Sequence, residues 1–324
     1  MPLPFSPPTS KTLDEFMSRP PDGVIATLEK TEGDFLVLGA GGKMGLHLCL
    51  MLQRGLEALG KSATQRVIAV SRFGSAETRA KFQSHGIETI SADLSESGNL
   101  AALPDAPNVF FLAGVKFGTS HESGLLEKMN VQMPCAVADR FRESRIVALS
   151  TGCVYSFVAP ESDGSTEEDA TEPVGDYAIS CLGREQAFRN AGEQWGTPTA
   201  LIRLNYAIDL RYGVLVDIAQ KVLDGRPVDV SMGYVNVIWQ GDALVHTIQA
   251  LPYASAPPFV LNVTGPGILR VRDLAEKFGE RFGKKVMVEG EEQPTAWLND
   301  ASKAHEMFGT LDKPTHFETR DGKY

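Results

Sequence analysis

The sequence predicts an α/β fold: a doubly wound parallel sheet with a smaller, discontinuous C-terminal lobe. Three observations carry this. From Asp34 to Asn205 short apolar runs alternate with helical patterns, the rhythm of right-handed βαβ units around a buried sheet. The first apolar run ends in a glycine loop that opens a helix. After Asn205 the rhythm loosens, and part of the later chain rejoins it. A length of 324 residues suits one large domain with a smaller one embedded in it.

Residues 1–33 read as an N-terminal arm. Pro2, Pro4, Pro7 and Pro8 keep its start extended, and two short helices separated by Pro20–Pro21 are expected to lie on the main domain. The large domain is expected over 34–205 and 235–257. FLVLG (35–39) is a buried strand and MGLHLCLMLQRGLEAL (44–59) has helical spacing. VIAV (67–70), ETISADL (88–94), NVFFLAGV (108–115), RIVALS (145–150) and TALIRLN (199–205) supply further strands. Between them lie the helical stretches SAETRAKFQSHG, which stops at Gly86, and LEKMNVQMPCAVADRF. The small lobe is expected over 206–234 and 258–324. It takes a helix and strand from 213–228, FVLNVTG (259–265), a helix at 271–282, KKVMV and a last helix near 300–308.

A net charge of −10 argues against nucleic acid and anionic membrane surfaces as partners. The four cysteines, Cys49, Cys135, Cys153 and Cys181, form no CxxC pair and no cluster with His. No metal site or disulfide framework is therefore expected, and a cytoplasmic location fits. No apolar run is long enough to span a membrane, and MPLPFSPPTSK lacks the pattern of a secretory signal.

GAGGKMG (39–45) carries the spacing GxxGxxG between a strand and a helix. Gly39 permits the tight turn, Gly42 lets the backbone approach a pyrophosphate, and Gly45 lets the helix pack close to the strand. The free N–H groups of the helix start, with Lys43 and Met44 in the loop, then face the phosphates of a dinucleotide. The second strand ends in Ser71 and Arg72 rather than in an acid. An acid there holds ribose hydroxyls; a serine and an arginine suit a 2′-phosphate. The expected cofactor is NADP, with NAD as the alternative. Asp93 and Leu94, after the third strand, are expected to flank adenine.

In this order the pieces resemble the extended short-chain dehydrogenase/reductases, the NAD-dependent epimerase/dehydratase group that works on sugars, with a Rossmann-type sheet. The resemblance covers roughly residues 34–310. It rests on the glycine loop, Asp93, FLAG (111–114), MNV (129–131), STGCVY (150–155), the acidic stretch STEEDATEPVGDYAIS (165–180) and the C-terminal NDASKAHEMFG. It implies that Leu112, Ala113 and Gly114 line the cofactor. It also implies that Tyr177 is the acid/base and that Thr151 shares the substrate oxygen. A tyrosine moves the alcohol proton that accompanies hydride transfer, and a second hydroxyl stabilises the charge that develops. A dimer through two central helices, roughly 122–142 and 177–192, would also fit.

One position departs from the pattern. In the family a lysine stands four residues after the tyrosine, one helical turn along; here the residue is Cys181. The lysine binds the nicotinamide ribose and lowers the tyrosine pKa. A charge about 4 Å away in a medium of dielectric about 20 is worth roughly 4 kcal/mol, or about 3 pKa units. A neutral thiol cannot replace it. Two cations are candidates: Lys116 in AGVKFG, which resembles a segment of UDP-galactose 4-epimerases where the lysine lies beside the cofactor, and Arg184, seven residues after Tyr177. Asn205 is a candidate substrate contact. Arg203 ends the same strand, His121 has no assigned role, and Trp239 reads as packing. The expected function is an NAD(P)-dependent oxidoreductase or epimerase acting on a small sugar-like alcohol or ketone. The alternative is a catalytically degenerate NAD(P)-binding protein with a regulatory or interaction role.

Overall fold

The computed structural model describes residues 9–115 and 124–309. Six strands follow the expected order: β1 (Phe35–Leu38), β2 (Val67–Ser71), β3 (Glu88–Ser91), β4 (Asn108–Phe111), β5 (Arg145–Thr151) and β6 (Thr199–Leu204). A seventh, β7 (Phe259–Val263), completes a parallel sheet in the order β7-β6-β5-β4-β1-β2-β3. The order reverses at β1, which lies between β4 and β2. Ligands of such sheets bind beyond the carboxyl ends of the strands at this reversal.

The longer helices are α1 (Ser10–Met17), α2 (Asp22–Glu29), α3 (Gly45–Ala58), α4 (Ala76–Gln83), α5 (Met133–Arg140), α6 (Asp176–Trp195), α7 (Val214–Leu223), α8 (Gln240–Gln249), α9 (Val271–Phe282) and α10 (Ser302–Phe308). Helices of the large lobe cover both faces of the sheet, and α7 and α9 belong to the small lobe. One core joins Phe35 and Val37 of β1 to α2, α3 and α8. The other joins Leu36 and Leu38 to Met133 and Val137 of α5 and to Phe188 of α6. Alternate residues of β1 therefore enter opposite layers. The long α6 starts after Gly175 (φ 85°) with Asp176 in its first turn, and stops at Gly196 in the left-handed conformation (φ 73°).

Two parts assigned by sequence to the small lobe belong to the large one. Phe259–Val263 pairs in parallel with β6 over its whole length. Ala304, Met307 and Phe308 of α10 pack into the core shared by α2, α3 and α8. Conversely, Tyr234–Asn236, placed partly in the large domain by the boundary at 235, pairs antiparallel with Ile268–Arg270 in the small lobe. The small lobe has its own core of Ile218, Val222, Val228, Val230, Val235, Val271 and Ala275.

The arm is part of the large lobe. The Thr9 side chain caps α1. Leu13, Met17 and Phe16 pack against Trp239, and Val24 and Leu28 of α2 join the core beside α3.

Candidate active site

Gly39 adopts φ +84°, and a Cβ there would lie 2.6 Å from the Ala113 nitrogen. This close approach brings the loop after β1 against the loop after β4. A Cβ on Gly45 would strike the Ala40 backbone, so α3 packs directly on the turn. A Cβ on the exposed Gly42 would meet only the Gly39 carbonyl oxygen, at 3.4 Å, and no side chain caps the start of α3. The first N–H groups of a capless helix thus face an exposed cradle, the arrangement that takes a phosphate. The residues fit a dinucleotide.

Ser71 lies under this loop: a Cβ on Gly41 would strike its Oγ. Arg72 is 71% exposed, with its nearest carboxylate, Asp93, at 3.8 Å. Asp93 Oδ1 accepts from the Ser95 N–H at 3.0 Å and from its hydroxyl at 2.7 Å, bonds that hold the turn after β3. Leu94 packs into the core beneath. Lys43 sets its ammonium 3.7 Å from the centre of the Tyr212 ring; Met44 and Leu112 pack against the adjoining core.

Thr151 ends β5, and Tyr177 stands in the first turn of α6. Asn130 sits in a π-turn (Lys128–Gln132) leading into α5, and such bulges are frequent at functional sites. Its Oδ1 accepts from Val115 N–H at 3.1 Å and from the Arg184 guanidinium at 2.6 Å, and its Nδ2 donates to Ser180 Oγ at 2.9 Å. Arg184 also donates to Leu149 O at 3.0 Å. A Cβ on Gly114 would strike the guanidinium, so the Arg184 charge lies against the loop expected to line the cofactor. Lys116 and His121 lie outside the described residues.

Tyr177 is half-buried and packs against the small cluster that holds Cys181. Burial, and then the sulfur of Cys181, push the Tyr177 pKa well above its usual value, while the Arg184 charge opposes the rise. Cys181 is buried, and burial holds its thiol up. Thr151 is buried at the end of β5, and its Oγ1 accepts from Cys153 N–H at 3.2 Å. Burial pushes the Cys153 thiol up to about 11. Ionisation of Cys153 would further raise Tyr177 and Tyr206.

The sequence pointed to neither Cys153 nor Tyr206. Tyr206 has φ +42°, a left-handed conformation that costs a bulky residue about 1–3 kcal/mol and clusters at functional sites. Burial, then Cys153, raise its pKa to about 12. Its ring also lines a cleft of about 180 Å³ in the small lobe, with Val214, Asp217, Ile218, Lys221 and Met232. The preceding residue, Asn205, is buried; its Nδ2 donates to Asn236 Oδ1 at 2.8 Å and to Trp297 O at 3.3 Å, which ties the lobes together. Arg203 forms a buried ion pair with Glu185.

The arm reaches this region as well. The Tyr212 hydroxyl donates to Gln240 Oε1. Gln240 Nε2 lies 2.8 Å from His47 Nδ1, and His47 Nε2 lies 2.8 Å from Asp14 Oδ1. Burial, outweighing Asp14, lowers the His47 pKa, so a neutral ring donates to Asp14 and accepts from Gln240. Asp14 also receives Lys81 at 2.8 Å and Arg211 at 2.7 Å. Burial works against its charge, but the hydrogen bonds from Lys81, His47 and Arg211 hold its pKa well below the usual range. Among the described residues no three His, Cys, Asp or Glu side chains gather as metal ligands do, and no helix is long and apolar enough to cross a membrane.

Comparison with known proteins places this geometry. No curated protein matches the chain. Among solved structures it is similar to a mutant UDP-glucuronic acid 4-epimerase from Bacillus cereus in complex with a fluorinated UDP-glucuronic acid and NAD. That likeness has a TM-score of 0.69 and 18% identity, over 87% of this chain and 96% of the other. It is similar also to DesIV, a dTDP-glucose 4,6-dehydratase from Streptomyces venezuelae with NAD bound (TM-score 0.71, 18% identity, 89% and 94% covered). A third likeness is to the UDP-glucose 4-epimerase of Thermotoga maritima with UDP-glucose (TM-score 0.69, 15% identity, 87% and 95% covered). At these identities the likeness is one of fold. The model of the NAD dependent epimerase/dehydratase family matches residues 35–208, more than half of the sequence. The chain belongs to the NAD dependent epimerase/dehydratase family.

Proposed function

We propose that this protein is a nicotinamide-dependent oxidoreductase or epimerase of a sugar-like alcohol or ketone, and that Arg184 stands in for the family's missing lysine. The observation that carries the reading is the placement of Arg184: its guanidinium lies against Gly114, and its charge acts on Tyr177. A bound nicotinamide supplies the hydride acceptor or donor. Tyr177 moves the alcohol proton and Thr151 holds the oxygen. Because burial keeps Tyr177 protonated at neutral pH, it serves better as a proton donor to a ketone than as a base toward an alcohol. Sugar nucleotides, the ligands of similar structures, are the first substrates to try.

The cofactor is NADP in this reading, through Ser71 beneath the loop and the exposed Arg72; NAD is the alternative, and is what the similar structures hold. Titration with each nucleotide tests it. Wild type should prefer NADP, and Arg72→Asp should reverse the preference. Binding of neither nucleotide would end the enzyme reading.

A second reading keeps the nucleotide and loses the chemistry. It rests on the Cys181 sulfur, which lies in the cluster against which Tyr177 packs and raises the Tyr177 pKa. Tyr177→Phe separates the two. Turnover that survives this change intact would remove Tyr177 from its role. Lys116 is the other candidate cation, and Lys116→Met measured beside Arg184→Met shows which charge turnover needs.

A further inference from the structure

Asn299 is 2% exposed. Neither end of its side-chain amide, Nδ2 or Oδ1, has a hydrogen-bond partner among the described residues. A buried amide in that state is costly: each unsatisfied polar group loses about 1–3 kcal/mol of hydration with no return. Such a group calls for a reason, and a catalytic or binding role is one of the few that natural proteins supply.

Its position shows where that would be. A Cβ on Gly152 would collide with Asn299 Oδ1, so the amide occupies the space that a side chain at 152 would fill. Gly152 directly follows Thr151, and the Thr151 hydroxyl already engages the next residue, Cys153. The amide therefore lies against the backbone of the residue that follows the group assigned to the substrate oxygen.

The backbone that carries Asn299 is fixed. Ala296 bridges to Val158. Ser165 N–H donates to Leu298 O and Asp300 N–H donates to Ser165 O, both at 2.9 Å. Asn236 Nδ2 donates to Asn299 O at 2.6 Å, and Asn205 Nδ2 donates to Trp297 O at 3.3 Å. Asn205 and Asn236 thus spend their amides on the backbone of 297–299, whereas the amide of Asn299 is spent on nothing within the described residues. A rigid strap that presents an idle donor and acceptor is what a preorganised recognition group looks like.

We infer that Asn299 is a substrate-reading residue, taking up an uncharged hydroxyl of the sugar close to the carbon that reacts at Thr151 and Tyr177. The chemical class follows from the amide. A hydroxyl both donates and accepts, so it can serve either end, whichever way the amide is turned. A carboxylate only accepts, so it could serve Nδ2 alone and would leave Oδ1 unmatched. This inference rests on the reading of Thr151 and Tyr177 as the chemical pair.

The test uses the full chain, saturated with whichever nicotinamide nucleotide it binds more tightly, and titrated calorimetrically with UDP-glucose and UDP-glucuronic acid. Asn299→Leu and Asn299→Asp are compared with wild type, each also by Tm without ligand. Asn299→Leu should leave cofactor affinity within about twofold and weaken sugar binding at least about tenfold. Its Tm should hold or rise, because replacing an unsatisfied buried amide by an apolar group of similar shape removes a cost. Asn299→Asp, which keeps the shape and loses the donor, should also weaken the sugar. One deoxy analogue of the bound sugar should then bind wild type and Asn299→Leu equally; the hydroxyl it lacks is the one Asn299 reads. Equal sugar affinity in wild type and both variants overturns the inference, whatever happens to Tm. Binding of neither sugar nucleotide by the cofactor-loaded wild type counts instead against the proposed function, and the inference falls with it.

Discussion

Two arginines lie buried near the carboxyl ends of β5 and β6, and they are used in opposite ways. Arg203, on β6, is 2% exposed and fully matched. It makes two hydrogen bonds to Glu185, at 2.9 and 2.8 Å, and a third to the Tyr155 hydroxyl at 2.6 Å. Glu185 in turn accepts from Ser150 at 2.7 Å. Arg184 is the neighbour of Glu185 in α6 and is 7% exposed, yet among the described residues no carboxylate pairs with it. It donates to a backbone carbonyl and an amide oxygen, and its Nε has no partner there. A charge neutralised inside the fold can only hold the fold together. A charge left uncompensated, at the edge of a cofactor cradle, is available to whatever binds there. The first pattern is architecture; the second fits a site.

The largest expected effect breaks the first pattern. Arg203→Leu takes from Glu185, which is 0% exposed, its closest cation and leaves it Ser150 and Arg189 at 3.5 Å, and the Tyr155 hydroxyl loses a donor. Breaking one partner of a buried pair costs about 3–5 kcal/mol, so the urea midpoint should fall steeply. A midpoint close to wild type would mean that the pair contributes little and that the contrast with Arg184 is false.

The next effect falls on the second pattern. Arg184→Leu should change stability by about 1 kcal/mol or less, because it removes a buried charge that lacks a carboxylate partner. Turnover should fall by about a hundredfold, the scale for one electrostatic group at a reacting centre. Cys181→Lys placed in that background returns a cation to the family's position and should recover most of the loss. The same change in wild type should instead cost stability, since it sets a second cation beside Arg184 in a buried place. Full activity in Arg184→Leu would shift the role to Lys116.

The contrast between the arginines was half legible in the sequence. Spacing alone set Arg184 on the same helix face as Tyr177, since seven residues are two turns. What it touches depends on Asn130 and on Leu149, 54 and 35 residues away, and no local pattern encodes that. The glycine loop and the first six strands were plain, because periodicity and turn residues act over short stretches. The lobe boundary failed for the opposite reason. Phe259–Val263 and α10 follow small-lobe segments in the chain, but their partners are β6 and the core beneath α8. Asn205 was noticed for its polar side chain, and the structure commits that amide to Asn236 and Trp297. Asn299 opens the NDASKAHEMFG stretch but carried no role there, and the left-handed backbone of Tyr206 had no sequence signal; both depend on contacts between distant parts of the chain.

The smallest effect separates the arginines by pH. Burial works to raise the Glu185 pKa, but the hydrogen bonds and charge of Arg203, with Ser150, outweigh it, and the carboxyl titrates below its usual value. An unfolded glutamate titrates near about 4.3. The stability from this carboxylate is therefore complete above that value and lost as pH falls through its lower folded value, by at most about 1.4 kcal/mol per pH unit. Arg184 has no such carboxylate among the described residues. Urea midpoints taken from pH 3 to 7 should then run parallel in wild type and Arg184→Leu, offset by a constant. In Arg203→Leu the acid slope should weaken, because the buried Glu185 then keeps only Ser150 and Arg189, at 3.5 Å, to favour its charge. A slope that differs between wild type and Arg184→Leu would reveal a carboxylate partner for Arg184, and with it the loss of the free charge that Tyr177 needs.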